Sequence, residues 1–194
     1  MYMKRGFTLI EVTVVVTVIL ILTTVGVFGF NQYRQRAVDG QARSIANAIK
    51  SGAERYYSSN NEYPSAQTLF TSGGATAPSC TVAPDYNNIY SKTGVASNTL
   101  NGSQVQLIPH AGANCTWDQN KVYYLTKTTT DANATRAYTI SGCTYTLTDS
   151  VQGHAGASYL IAYFSRQNGW WFVTKSNFGT STTSDGIWCP FRSL

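Results

Sequence analysis

Glu11 is the residue whose chemistry most needs explaining, because it is the only charged side chain in residues 7–30, an otherwise almost wholly apolar run. A carboxylate is costly within a membrane span and usually serves a function there. Thr8 and Glu11 match the capping-box pattern, in which the carboxylate accepts hydrogen bonds at a helix start. The other role open to Glu11 is an ion pair, since a buried charge needs a partner.

Four cysteines stand beyond the apolar run, and their even number favours two disulfides in an oxidising compartment. No two of them form a CxxC pair, so we expect no metal site. Four cysteines allow three pairings. The pairing that keeps each loop local joins Cys80 to Cys115 and Cys143 to Cys189. The alternative to disulfides is that the four cysteines are buried free thiols.

The remaining reactive residues form no catalytic constellation. His110 and His154 lie in Gly/Ala-rich loops without neighbouring acids, and no serine or cysteine stands in a nucleophile-elbow context. Asp185 and Gly186 predict a turn rather than a calcium site, because no second carboxylate is close in sequence. We therefore expect a protein that is not an enzyme and needs no cofactor.

The net charge is +5, and four of these positive charges come from residues 1–56. Beyond residue 56, seven basic side chains stand against six acidic ones. A broad basic face for nucleic acid is therefore not predicted, and DNA is a weakly supported partner that would need a local patch. The small charged share of 12% and the 13 tyrosines suit a β-rich extracellular protein.

The apolar run is long enough to cross a membrane. As a helix, its 24 residues span about 36 Å, against a hydrocarbon core of roughly 30 Å. A secretory signal peptide also begins with basic residues, but its apolar region is usually only about 7–15 residues long. A plain membrane anchor fits the length. Neither alternative gives Glu11 a role.

The string KRGFTLIEV closely resembles the start of type IV prepilins and the related pseudopilins. In that family a short basic leader ends in glycine, a peptidase cuts before phenylalanine, and a glutamate is fifth in the mature chain. The resemblance implies a leader of residues 1–6, a cut between Gly6 and Phe7, and N-methylation of the Phe7 amine. Glu11 would then face its own amine in a lone subunit and pair with a neighbour's Phe7 amine in a filament.

The resemblance also implies partners and a location. The partners are other pilin subunits, a prepilin peptidase and methylase, an inner-membrane assembly platform and, before assembly, the membrane itself. The precursor is expected to cross the cytoplasmic membrane once, with its N-terminus inside and its head outside. The product is expected in a cell-surface or periplasm-spanning filament.

A helical pattern continues beyond residue 30 into polar sequence. One apolar stripe recurs every three or four residues: Val38, Ala42, Ile45, Ile49, Ala53 and Tyr56. The opposite face is predicted to hold Arg36, Arg43, Lys50 and Glu54. One helix is therefore predicted over residues 7–57, with residues 31–57 as an amphipathic stalk laid against a head.

The stretch ERYYSSNNEYP predicts where this helix ends. Asn60 and Asn61 break the helical pattern, and Pro64 prevents its resumption. A tyrosine pair, a polar turn and Tyr-Pro at this place also resemble pilins and type II secretion pseudopilins.

One departure from the family concerns the middle of the apolar helix. Many major pilins carry a proline there, whereas this chain has Phe28 and no proline before Pro64. Gly26 and Gly29 are the weak points of the run, each costing about 1 kcal/mol relative to alanine. They either supply a flexible segment or pack against a neighbouring helix.

Residues 58–103 are predicted to be an irregular connection, and residues 104–194 a β-sheet head with a C-terminal tail. The head has six strand-like runs: QVQLI, VYYLTK, AYTI, CTYTLT, SYLIAYF and WWFVTK. Asn168 followed by Gly169 predicts a hairpin between the last two. Trp170 and Trp171 should point to opposite faces, one into the core and the other toward a neighbouring subunit or a sugar.

The predicted fold class is therefore α+β, with a long N-terminal helix packed on an antiparallel β-sheet head of the pilin kind. The function that this fold and the N-terminal resemblance imply is that of a structural subunit in a type IV pilus-like filament. A minor pilin or pseudopilin of a secretion or DNA-uptake system shares these features. A membrane-anchored or secreted adhesin that never polymerises is the alternative of another class.

Overall fold

The computed structural model describes residues 8–70, 84–102, 104–109, 116–126, 135–140, 143–148, 158–175 and 189–190. The chain divides into two compact units, Met1–Ala37 and Val38–Leu194. The boundary between the units falls within the first helix.

That helix, α1, runs without interruption over Leu9–Asn60. It confirms the prediction of one long helix and continues three residues past the predicted end. Asn61 stops it in a left-handed conformation, with φ of 56°, and its N–H donates to the Tyr57 carbonyl at 2.8 Å. Asparagine tolerates this conformation better than most residues, which explains why the helix ends at the asparagine pair.

In the first unit, α1 is mostly apolar as far as Phe30, and its described side chains are exposed. Its 18-residue apolar window is long enough to cross a membrane, judged by length and composition. The hydroxyl groups inside this stretch donate to carbonyls three or four residues back, as in Thr13 to Ile10 and Thr17 to Thr13. Their polar atoms are therefore satisfied within the helix, which an apolar environment requires.

The second unit contains a five-stranded sheet in the order β1-β2-β5-β6-β7 and a separate pair, β3 and β4. The strands are β1 Gln106–Pro109, β2 Lys121–Thr126, β3 Thr135–Ile140, β4 Cys143–Thr148, β5 Tyr159–Ser165, β6 Trp170–Lys175 and β7 Cys189–Pro190. All six strand-like runs of the sequence form strands. The sheet is mixed rather than purely antiparallel, because β1 runs parallel to β2. Alternation of side chains predicts a strand but not the direction of its partner.

The predicted hairpin joins β5 to β6. Ser165 pairs with Trp170, and residues 166–169 form the turn between them. Gly169 has φ of 71°, a conformation that glycine adopts at little cost, and its N–H donates to the Ser165 carbonyl at 2.8 Å.

Both faces of the five-stranded sheet are covered. The stripe of α1 packs on one face, against alternate residues of β2 and β5 such as Val122, Tyr124 and Ile161. The other face carries a second core that includes Tyr138 and Ile140 of β3. Because β5 has a core on each side, all of its residues are buried.

The tryptophan pair follows this division of faces. Trp171 lies in the second core with 1% of its surface exposed, whereas Trp170 is 37% exposed. The prediction that the two rings point to opposite faces is confirmed.

Three short helices form where an irregular connection was predicted: α2 Ala66–Phe70, α3 Tyr86–Thr93 and α4 Ser97–Leu100. For these residues the prediction is wrong. Asp85 caps α3 by accepting from the N–H groups of Asn87 and Asn88, both at 3.1 Å, and Gly94 ends it with φ of 68°. An aspartate before the helix and a glycine after it are the signals that could have identified α3.

Gly52 allows α1 to approach the end of α3 closely. A Cβ at this position would lie 2.7 Å from Thr93 Cβ and 2.8 Å from Val95 Cγ2. We expect Gly52→Ala to destabilise the second unit by about 1–3 kcal/mol, because these atoms must shift to admit a methyl group. Thermal unfolding of the full chain in detergent, followed by near-ultraviolet circular dichroism, measures the change.

Gly40 provides the matched control, since it lies in the same helix and a Cβ there would meet no atom within 4 Å. Gly40→Ala should leave stability unchanged or raise it by up to about 1 kcal/mol through helix propensity. Equal destabilisation by both substitutions would contradict the packing account.

Candidate functional site

Glu11 forms a capping box at the start of α1. Its Oε2 accepts from the Thr8 N–H at 2.8 Å and from the Thr8 hydroxyl at 2.9 Å. The Glu11 N–H in turn approaches Thr8 Oγ1 at 3.4 Å. The capping role considered for the TLIE sequence is therefore present in the structure. All of these bonds to the carboxylate use Oε2, and the side chain is exposed.

The structure does not test the roles predicted for the other residues of the processing and flexibility sites. Gly6 and Phe7 lie outside the described residues. Gly26 and Gly29 lie within an unbroken stretch of α1, and a Cβ at either would meet no atom within 4 Å. The flexible-segment and neighbour-packing hypotheses both stay predictions.

The disulfide pairing also stays a prediction. Cys80 and Cys115 lie outside the described residues. Cys143 pairs with Ile140 at the end of the β3–β4 ribbon, and Cys189 pairs with Trp171 at the edge of the larger sheet. Only the backbone of these last two cysteines is described.

The predicted non-catalytic residues His110, His154, Asp185 and Gly186 lie outside the described part of the chain. Among the residues that are described, no group of three His, Cys, Asp or Glu side chains is placed to hold a metal ion.

Asp39 makes structural contacts that the sequence did not predict. Its carboxylate accepts from the Ser165 hydroxyl at 2.7 Å and from the N–H groups of Arg166 at 2.8 Å and Gln167 at 2.9 Å. One side chain of α1 thereby holds the turn that joins β5 to β6. A carboxylate that accepts two backbone N–H bonds stabilises the loop because those groups would otherwise need water.

Glu54 makes the corresponding contact near the other end of the stalk. It accepts from the Tyr159 hydroxyl at 2.8 Å and from the Tyr63 hydroxyl at 3.0 Å. Burial raises the pKa of Tyr159 and of Tyr63, and the hydrogen bonds to Glu54 raise it further. Tyr57 stacks on Tyr63 with ring centroids 4.6 Å apart.

The prediction that Glu54 lies on the outward polar face is therefore wrong. Helical periodicity places Glu54 away from the apolar stripe, but it cannot include side chains that arrive from elsewhere. The chain reverses at Asn61, so that Tyr63 returns against the last turns of α1 and covers Glu54. The motif ERYYSSNNEYP thus supplies both a carboxylate and a tyrosine that donates to it.

Asp39 and Glu54 together form what we call the β5 clamp, because they contact the two ends of strand β5. The 15 residues from Asp39 to Glu54 rise about 22 Å along a helix. The six steps from Tyr159 to Ser165 extend about 20 Å along a strand. The two lengths agree, so both carboxylates reach their partners while the apolar stripe packs between them. The clamp sets the register of helix and sheet within the second unit.

Comparison with known proteins adds two findings. A family model described as "Prokaryotic N-terminal methylation motif" matches residues 1–27. A type IV major pilin protein, PilE1, of Neisseria gonorrhoeae is 30% identical over 103 residues, which cover 53% of this chain and 56% of that protein. A fimbrial protein of Neisseria meningitidis serogroup A is also 30% identical over 103 residues, covering 53% of this chain and 59% of the relative.

The chain is thus aligned with little more than half the length of these relatives. No solved structure shows a significant match. The family model matches the N-terminal region, where the capping box and the start of the exposed apolar helix lie.

Proposed function

We propose that this chain is a type IV pilin-like protein, a structural subunit that polymerises into a type IV pilus-like surface filament through its N-terminal helix. The observation that carries the proposal is the exposed apolar surface of α1. The large hydrophobic side chains between Leu9 and Phe30 have exposed fractions that range from 48% at Val18 to 83% at Leu9. Apolar surface of this extent needs a cover. A bilayer provides it for the precursor, and the helices of other subunits provide it in a filament.

Cleavage between Gly6 and Phe7 fits a helix that lies first in the membrane and then in a filament. It removes Lys4 and Arg5 from the cytoplasmic side and creates an ammonium on Phe7, which methylation leaves basic. Glu11 then gains a cationic partner in a neighbouring subunit. Two charges that are unfavourable apart in an apolar helix bundle become paired on docking, and the pairing fixes the axial register of the subunits.

The proposed partners follow from these steps. They are other pilin subunits, a prepilin peptidase and methylase, and an inner-membrane assembly platform. We place the precursor in the cytoplasmic membrane with its N-terminus inside. The relatives are described as a type IV major pilin and a fimbrial protein, which favours a major subunit, while a minor pilin or pseudopilin would share the same processing.

Sheared surface filaments test the proposal. The purified filament fraction of producing cells should contain this chain as its main component, identified by peptide mass spectrometry. Traces in that fraction would indicate a minor subunit. Presence in membranes alone, under conditions where filaments form, would reject the filament and favour the anchored adhesin.

A further inference from the structure

Tyr33, Arg34 and Arg36 form a cluster of long side chains directly after the apolar stretch of α1. All three are exposed, Tyr33 by 72%. In the part of the chain that the structure describes, neither arginine has an ion-pair partner. Asp39, the nearest carboxylate along the chain, is occupied by the hydroxyl and N–H groups of the β5–β6 turn.

We propose that this cluster binds the phosphate headgroups of anionic phospholipids and sets the depth of α1 in the membrane. The inference rests on membrane residence of the precursor, which is part of the proposed function. It adds a partner, the lipid surface, and the residues that recognise it.

The axial positions of the side chains match a headgroup layer. Arg34 and Arg36 lie about 6 and 9 Å beyond Phe30 along the helix axis. The polar layer on each side of the hydrocarbon core is about 5–7 Å thick. An arginine reaches back along the helix while keeping its guanidinium in the polar layer. Both charges therefore come within contact distance of phosphates.

The distribution around the helix suits a lipid layer. At 100° per residue, Tyr33 lies between the two arginines, which are about 160° apart around the axis. Lipid headgroups surround a membrane helix and therefore reach all three side chains. Tyrosine suits the same layer because its ring is apolar and its hydroxyl is polar.

Two further cations on the same helix provide a matched control. Arg43 and Lys50 are also exposed, but they belong to the second unit and follow Phe30 by 13 and 20 residues of helical sequence, more than 8 Å of helix at 1.5 Å per residue. At physiological ionic strength the membrane's surface potential decays over roughly 8 Å. The same loss of two charges should therefore matter at positions 34 and 36 and not at positions 43 and 50.

The test uses the full chain in nanodiscs of equal parts dioleoyl-phosphatidylcholine and dioleoyl-phosphatidylglycerol. Native mass spectrometry counts the lipids of each kind that stay bound when the protein is released. We expect the unaltered chain to retain phosphatidylglycerol preferentially. Arg34→Gln with Arg36→Gln should reduce that preference by up to about thirtyfold, and Arg43→Gln with Lys50→Gln by less than about twofold.

Loss of the preference in both double variants, or its absence in the unaltered chain, would overturn the proposal. The Arg34→Gln, Arg36→Gln variant could keep its preference for phosphatidylglycerol and yet fail to form filaments. That result would assign the arginines to contacts between copies of the chain and would also overturn the proposal. The lipid count is made on unassembled protein. If the unaltered chain retains phosphatidylglycerol as expected but forms no filaments, only the proposed function is therefore rejected.

Discussion

Replacing Glu11 by alanine should reduce filament yield by roughly a hundredfold or more, while insertion into the membrane and removal of the leader continue. The Phe7 ammonium would enter the apolar helix bundle without its partner, and an unpaired buried charge is strongly unfavourable. Filament yield is measured in the sheared fraction, and processing by the size of the chain in membranes.

The capping box requires a control that separates helix capping from charge pairing. Glutamine at position 11 can still cap, since the capping-box pattern accepts Glu or Gln, but it carries no charge. Thr8→Ala removes the capping hydroxyl seen at 2.9 Å and keeps the charge. If charge pairing drives assembly, Glu11→Gln should fail nearly as Glu11→Ala does, and Thr8→Ala should assemble. Assembly of the Glu11→Gln variant together with failure of the Thr8→Ala variant would assign Glu11 to helix capping alone.

Replacing Glu54 by alanine should destabilise the second unit by about 3 kcal/mol. The substitution leaves two tyrosine hydroxyls without the carboxylate that accepts from them, and both tyrosine side chains are buried. Hydrogen bonds to a charged group contribute about 1.5–3 kcal/mol each when one partner is removed. Thermal unfolding in detergent, compared among Glu54→Ala, Tyr159→Phe and the double variant, isolates the contact.

Glu62→Ala is the matched control, because it removes an exposed carboxylate from the turn that follows α1. It should change stability by less than about 0.5 kcal/mol. If Glu54→Ala is no more damaging than Glu62→Ala, the β5 clamp does not stabilise the head.

The tyrosines also give the head a dependence on alkaline pH. Burial raises the pKa of Tyr123 to about 12 from an ordinary value of 10.0, and it raises the pKa of Tyr124 as well. The folded chain therefore holds protons that the unfolded chain releases above pH 10. This contribution to stability is complete below pH 10 and is lost as the pH rises toward 12.

Much of the fold could be predicted because local patterns determine it. The stripe from Val38 to Ala53 is buried as its spacing predicts, and Asn168 with Gly169 forms the expected hairpin turn. These features depend on residues a few positions apart. The end of α1 at an asparagine pair is of the same kind.

The β5 clamp could not be predicted, because its contacts join residues far apart in sequence. Glu54 and Tyr159 are separated by 105 positions, and Asp39 and Ser165 by 126. Helical periodicity even places Glu54 on the wrong face, since it takes no account of Tyr63 folding back over the helix. The parallel direction of β1 is missed for a related reason, because pairing direction depends on how the connection runs.

Cleavage after Gly6 is proposed to create the amine that Glu11 pairs with in a filament. Mass spectrometry of the N-terminus of the chain from producing cells measures this cleavage. We expect a chain that begins at Phe7 and carries one additional methyl group on its amine. A chain that still holds residues 1–6, or one that begins near Phe30 as after ordinary secretion, would contradict it.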